Sequence, residues 1–310
     1  MKVSVLVPTY RRCRDLARCL EALKQQSCHA DEVLVVVRDT DDETHEFLRS
    51  FTAEALPLQV VNVWLPGQVA ALNGGMAVAR GDIIAITDDD AAPAPTWLEQ
   101  IKGHYLSDST VGGVGGRDWV YLGDRLLEGS ENQVGILQWF GRVVGNHHIG
   151  IGEAREVDIL KGANMSYRRE AIEGLRFDDR LKGQGAQVHN DLAFSLSVKR
   201  RCWKLIYDPA VAVNHYPAQR FDDDQRGSFN AIATINQSHN EVLALLDYLS
   251  PLRRLIFLIW SNLIGTRTNP GLIQVLRLFP QEGWLAVQKG WSCLVGRWQG
   301  LQTWMNSHPS

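Results

Sequence analysis

Short apolar runs alternate with amphipathic stretches over the first third of the chain. Val3 to Val7 is continuously apolar apart from Ser4 and ends at Pro8, which predicts a buried strand. Leu16, Leu20 and Leu23 then recur at helical spacing, which predicts an amphipathic helix from Asp15 to Gln26. Glu32 to Val37 is almost wholly valine and leucine, too apolar for a strand with one wet face. A helix is expected up to Phe51, a third strand over Leu58 to Val63, and an alanine-rich helix over Gln68 to Ala79. Ile83 to Thr87 is the fourth strand. This order predicts an α/β sandwich with a mostly parallel central sheet flanked by helices.

The pattern is less regular further on. Trp97 to Tyr105 reads as a helix and Trp119 to Tyr121 as a strand. Between them Gly112, Gly113, Gly115 and Gly116 do not fit a dinucleotide fingerprint. They mark places where the backbone passes close to a ligand or another strand. Leu122 to Ile151 is poorly patterned and reads as a mobile loop, with His147 and His148 expected in solvent. Val157 to Arg168 has strand character. Leu192 to Val198 reads as a helix whose start Asn190 or Asp191 can cap. Leu205 to Tyr207 and Val211 to Val213 are short strands around Pro209. After Asp222, Asp223 and Asp224 only helical patterns remain, and the tail holds Trp260, Trp284, Trp291, Trp298 and Trp304.

Composition narrows the function. Of 310 residues 45% are hydrophobic, enough for a large core, and the net charge of -3 argues against a nucleic-acid partner. The 5 cysteines show no paired metal spacing, and their odd count, with no signal peptide read in the opening run, suggests reduced thiols and a cytoplasmic setting. The opening apolar run is too short for a signal peptide, and no run approaches the length that spans a bilayer.

The candidate chemistry centres on Gly81 to Asp90, a turn and a buried strand ending in Asp88, Asp89 and Asp90. Three adjacent carboxylates repel one another. A hard divalent cation, Mg²⁺ or Mn²⁺, makes the cluster reasonable, because such ions take oxygen ligands and share them with substrate phosphates. A solvated acidic turn is the alternative. The strand in front favours metal, since open α/β sheets bind ligands at the carboxyl ends of their strands. Asp191 reads as a helix cap from its own segment. His215 is balanced between a metal or phosphate ligand and a surface histidine.

Five blocks in order carry a resemblance: Val5 to Arg12; Ala71 to Gly75 with Ala79 to Asp82; Thr87 to Ala91 with Pro95 to Leu98; Gly162 to Arg169; and Asn190-Asp191 before a helix. Over Met1 to about Pro217 the chain resembles the glycosyltransferase family 2 enzymes. The resemblance implies a GT-A fold and inverting transfer of a sugar from a nucleotide-diphosphate donor, a UDP-sugar first among them, to an acceptor hydroxyl. It implies glycan, polysaccharide or glycolipid synthesis. Pro8, Thr9, Tyr10, Arg12 and Asn73 would face the nucleotide. Asp90, and Asp88 directly or through water, would hold the cation, with Asp89 facing the ribose or sugar. Asp191 would be the base, which outweighs the cap reading once the resemblance is added. The second strand departs from the family pattern: Val37 and Arg38 stand where acidic residues are common, leaving Asp39 to contact the nucleotide through a displaced loop.

The expected organisation is a catalytic domain over 1–224, with a nucleotide half to about 115 and an acceptor half from about 116, then a helical C-terminal extension over 225–310. The acceptor is expected to be a glycan, a lipid-linked glycan or a small hydroxyl compound. Arg253, Arg254 and the tail tryptophans suit a membrane interface at the inner face, although packing in a core or a homodimer contact is the commoner use of such faces. A nucleotidyltransferase is the enzyme alternative, although Pro8 to Arg12 is not a glycine- and lysine-rich phosphate loop. A nucleotide-sugar-binding protein without catalysis is the other.

Overall fold

The computed structural model describes residues 1–53, 56–219 and 228–308. The Asp222–Asp224 run, and with it the expected boundary at 224, lies outside them. The chain divides into two compact units. One comprises Met1–Ile136, Val144–Phe177 and Phe194–Ala218. The other comprises Leu137–Val143, Asp178–Ala193 and Gln219–Ser310.

The first unit is built on β1 (Val3–Thr9), α1 (Cys13–Lys24), β2 (Glu32–Arg38), α2 (Asp42–Ser50), β3 (Leu58–Val63), α3 (Gln68–Val78) and β4 (Ile83–Ile86). Strand and helix alternate as the apolar pattern predicts, and β3, β2, β1 and β4 lie side by side in parallel. Next come β5 (Ala91–Pro93), α4 (Trp97–Ser107), β6 (Val111–Leu122), β7 (Arg125–Leu126), β8 (Ile136–Leu137), β9 (Val143–Val144), β10 (Arg155–Val157), β11 (Met165–Arg168), α5 (Arg169–Ile172), α6 (Asn190–Arg200), whose residues up to Ala193 belong to the other unit, and β12 (Lys204–His215). The sheet order is β10-β12-β6-β11-β4-β1-β2-β3. It is mixed: β11 runs antiparallel to both β4 and β6, while β6 and β12 are parallel. The core lies between the sheet and α1 and α4, with Leu16, Leu20, Trp97, Leu98 and Ile101 fully buried.

Three segments differ from expectation. The glycine run does not precede a strand; it lies inside β6, one strand of 12 residues. A Cβ on Gly116 would stand 1.8 Å from the Val211 carbonyl oxygen, so only glycine lets the irregular middle of β12 pass there. The predicted strands around Pro209 are likewise one strand, β12. The 122–151 segment is placed by hydrogen bonds, Leu127 N–H to Val120 O at 2.8 Å and Glu131 N–H to Ile149 O at 2.8 Å among them. His147 is not in solvent. It is 5% exposed, its Nε2 lies 2.9 Å from the Ile159 carbonyl, and its ring meets Tyr207 edge-on.

The second unit is helical: α7 (Ala231–Tyr248), α8 (Pro251–Leu263), α9 (Leu272–Glu282) and α10 (Trp284–Ser307). Gly296 and Gly300 lie four apart on one face of α10 and let its backbone approach α7. Added Cβ atoms would stand 2.4 Å from Ile235 O and 2.7 Å from His239 O. Gly283, at φ 57, turns the chain from α9 into α10. No helix among the described residues is long and apolar enough to cross a membrane.

Candidate metal and nucleotide site

β4 delivers Thr87 to the carboxyl edge of the parallel strands, and the three aspartates turn over it, with the Ala91 N–H bonded to the Asp88 carbonyl at 3.1 Å. The chain then enters β5, which pairs with the end of β12 so that His215 stands opposite Ala91. This pairing brings together residues far apart in sequence. Asp88, Asp90 and His215 each offer a ligand atom, all within 4.8 Å of one another. His215 Nε2 is 3.3 Å from Asp90 Oδ1. The strand end also closes on Asp90 through its backbone: Tyr216 N–H donates to the Asp90 carbonyl and Ala218 N–H to Asp90 Oδ2, both at 2.9 Å.

The three carboxylates do different things. Asp89, 2% exposed, faces inward and accepts from Thr9 Oγ1 at 2.8 Å and Arg12 Nη1 at 2.9 Å. It ties the loop after β1 to the end of β4. Asp88 is half-buried and accepts from Gln68 Nε2 at 3.2 Å. Asp90 is 2% exposed.

Electrostatics follow from this crowding. Burial, then the neighbouring Asp90, pushes the Asp88 carboxyl up to about 6. Burial and Asp90 push Asp89 up to about 7 against the pull of Arg12 and Thr9. Burial also works against the charged form of Asp90, but the His215 ring, the Ala218 N–H and Arg12 outweigh it and hold it below the usual carboxylate range. Burial opposes the charge on Arg12, and Asp89 and Asp90 more than compensate. A cation among Asp88 and Asp90 relieves the repulsion between them. His215 fits the same reading: it is 6% exposed, and its Nδ1 is buried with no hydrogen-bond partner among the described residues. The donor set of two carboxylates and an imidazole suits Mn²⁺ or Mg²⁺.

The other predicted residues lie on β1, in the loops after β1 and β2, on α3 and on α6. Pro8 and Thr9 end β1, and Tyr10 and Arg12 form the loop beyond it. Asp39 is exposed just past β2, its N–H bonded to the Val63 carbonyl at 3.0 Å. Val37, where an acid was expected, is fully buried within β2. Asn73 is buried and clamps the Phe177 backbone, donating to its carbonyl and accepting from its N–H, both at 2.9 Å. Asp191 sits in the first turn of α6, where its Oδ1 accepts the Leu192 N–H at 2.8 Å.

Sequence reasoning missed several participants. Asp41 caps α2 and also accepts the N–H of Arg11 at 2.6 Å, holding that residue at φ 56. The Asp41-x-x-Thr44 spacing is a cap signal that was available. Gln68 and the Ala218 N–H carry no such signal. Asp118 is wholly buried in β6 with Lys161 Nζ 2.6 Å from its Oδ2, a pair that only the register of the folded sheet reveals.

The model for Glycosyl transferase family 2 matches residues 4–176, more than half of the chain, and the chain belongs to that family. It is 33% identical over 116 residues to Glycosyltransferase AglE of Haloferax volcanii, covering 36% of each chain. It is 26% identical over 225 residues to the Glucosyl-dolichyl phosphate glucuronosyltransferase of the same organism, covering 69% of each. The matched region thus spans about a third of the first relative and about two thirds of the second. Among solved structures, mannosyltransferase PcManGT from Pyrobaculum calidifontis in complex with GDP-Man and Mn²⁺ superposes at a TM-score of 0.55 and 20% identity, over 100% of this chain and 76% of that one. S. aureus TarS 1-349 in complex with UDP-GlcNAc gives 0.60 at 15% identity, over 98% and 92%. At these identities the likeness shows the fold, which is GT-A-like.

Proposed function

We propose that this chain is a metal-dependent, inverting glycosyltransferase that moves a sugar from a nucleoside-diphosphate donor to an acceptor hydroxyl. The observation that carries the reading is the Asp88, Asp90 and His215 cluster, all within 4.8 Å at the carboxyl edge of the sheet. Asp88, Asp90 and His215 would hold Mn²⁺ or Mg²⁺, which would neutralise charge on the departing diphosphate. The loop after β1, with Tyr10 and Arg12, and Asp39 past β2 take the nucleotide. Thr9, Asp89 and Asn73 serve by holding that frame: Thr9 and Asp89 bond each other, and Asn73 fixes Phe177.

Asp191 acts as the general base. A hydroxyl is a poor nucleophile at neutral pH, so its proton passes to the Asp191 carboxylate as its oxygen attacks the anomeric carbon. The new C–O bond forms as the bond to the diphosphate oxygen breaks. A single displacement inverts the anomeric carbon and needs no second carboxylate as nucleophile. Residues 1–224 supply this machinery, and 225–310 form an extension.

The relatives support the substrate class. Two structural neighbours hold GDP-Man and UDP-GlcNAc, both nucleoside-diphosphate sugars. One relative is a glucosyl-dolichyl phosphate glucuronosyltransferase, which favours a lipid-linked acceptor within glycan or glycolipid synthesis. The test is a thermal-shift screen of UDP, GDP and other nucleoside diphosphates with and without Mn²⁺, followed by donor hydrolysis and transfer assays. Metal-dependent stabilisation by a nucleoside diphosphate, with metal-dependent release of it from the sugar donor, is expected. Binding without turnover would support a non-catalytic binder instead. Pyrophosphate release from a nucleoside triphosphate would support a nucleotidyltransferase.

A further inference from the structure

The second unit exposes apolar side chains on three helices that the proposed reaction leaves unused. Its α10 exposes Trp284, Trp291 and Trp298, at 70%, 66% and 57% of their area. The spacing of seven places the three rings along one face of the helix. On α9, Leu272, Leu276 and Phe279 are exposed in the same manner. α8 adds Leu252, Leu255 and Ile259. Isolated exposed apolar residues are ordinary, but three consecutive helices each bearing an exposed stripe are not.

Charge decides what covers this surface. From Pro251 to the last residue there are six arginines and lysines and one carboxylate, Glu282, in a chain whose net charge is -3. Glu282 is already taken by Lys289 at 2.6 Å. Arg267 and Arg277 are exposed, and Arg277 follows Leu276 on α9. A symmetric pairing of two copies through this surface would set these cations against their own kind. An anionic surface complements them. Tryptophan suits the boundary of a bilayer, where the ring meets acyl chains and the indole N–H meets water. No described helix can cross, so the helices would lie in the plane.

We propose that the second unit docks peripherally on an anionic lipid surface through the exposed apolar faces of α9 and α10, with Arg267 and Arg277 at the headgroups. The inference stands on this unit alone and is tested without turnover. Full-length chain would be floated with vesicles of phosphatidylcholine, with and without phosphatidylglycerol, at low and high salt. A Leu276→Glu/Phe279→Glu variant and a Trp291→Ser variant would run beside it; all three side chains are exposed, so the core is untouched. Circular dichroism and sedimentation would accompany each. Flotation with the anionic vesicles, weakened by salt and lowered about tenfold or more in the double variant, is expected, with a blue shift of tryptophan emission that Trp291→Ser reduces. The proposal is overturned if the folded chain stays soluble with both vesicles at low salt. It is also overturned if flotation is indifferent to the variants, or if the chain is a dimer that the double variant splits.

Discussion

In the first unit Asp89 and Asp90 are 2% exposed; in the second Trp284 is 70% exposed. One region hides charge and the other displays apolar rings, each against the ordinary preference of its residue types. The first resolves its departure internally as far as it can. Arg12 and Thr9 satisfy Asp89, and the end of β12 closes on Asp90. What remains, Asp88 beside Asp90 with His215 Nδ1 lacking a partner among the described residues, is where the proposed cation would sit. The second has no internal resolution, and its stripes point to a surface outside the protein. Under the two proposals, each departure is read by its chemistry: oxygen and imidazole donors for a hard ion, rings and guanidinium groups for an anionic interface.

The largest expected effect tests the first half of that contrast. Asp90→Asn keeps an acceptor for the Ala218 N–H but removes the charge that the cation needs. Metal-dependent binding of nucleoside diphosphate, followed by calorimetry in Mn²⁺, is expected to vanish together with transfer. Unchanged affinity would show that Asp90 is only a clasp for the end of β12.

Asp191→Asn comes next. Turnover is expected to fall about 10²-fold or more, the scale of a lost general base, while donor affinity stays near that of the parent. Loss of affinity along with rate would make Asp191 part of the frame. Its bond to the Leu192 N–H already shows that it has local structural work.

A third test concerns the frame that sets His215. Gly116→Ala pushes a Cβ against the Val211 carbonyl, where β12 bulges before resuming its register at Val213 and delivering His215. A loss of about 3 kcal/mol in urea unfolding is expected. Gly103→Ala is the control: it lies in α4 with open space around it, and the same change should stabilise by about 0.5–1 kcal/mol. Equal effects at the two sites would remove the packing argument.

These sites show what was legible in the sequence. The alternation from β1 to β4 was plain, because each strand is a continuous apolar run and each helix carries its own spacing. Asp88 and Asp90 were legible for the same local reason: they follow such a run directly. β6 and β12 look like fragments in the sequence, since glycines and Pro209 break the local signal while long-range pairing holds the strands together. β5 is three residues long and exists through its pairing with β12, so nothing local announced that His215 would reach Asp90. His147 reads as a solvent residue because its segment lacks periodicity. The fold buries it through Ile159 and Tyr207, neither nearby in sequence.

The smallest effect tests whether a hydrogen-bonded carboxylate in the same sheet behaves unlike the aspartate cluster. Asp208, on β12, is 2.7 Å from His104 Nε2 on α4 and accepts the Ala210 N–H at 2.8 Å. The His104 hydrogen bond, against the cost of burial and with help from the Ala210 N–H, holds the Asp208 carboxyl below its usual range. A carboxylate whose folded value is depressed contributes stability above its unfolded value, near 3.9, and loses that contribution as pH falls through the folded one. Asp88 and Asp89 are shifted the other way, so in the metal-free chain their burial weighs against the fold as pH rises toward 6 and 7. Asp208→Asn is therefore expected to cost about 1 kcal/mol at pH 7, and progressively less as pH drops below 4, where the parent loses the same interaction. Urea unfolding of parent and variant at pH 7 and at about pH 2.5, below the ordinary carboxylate value, measures it. A difference that stays constant across that range would mean that the Asp208 contribution is packing and not charge.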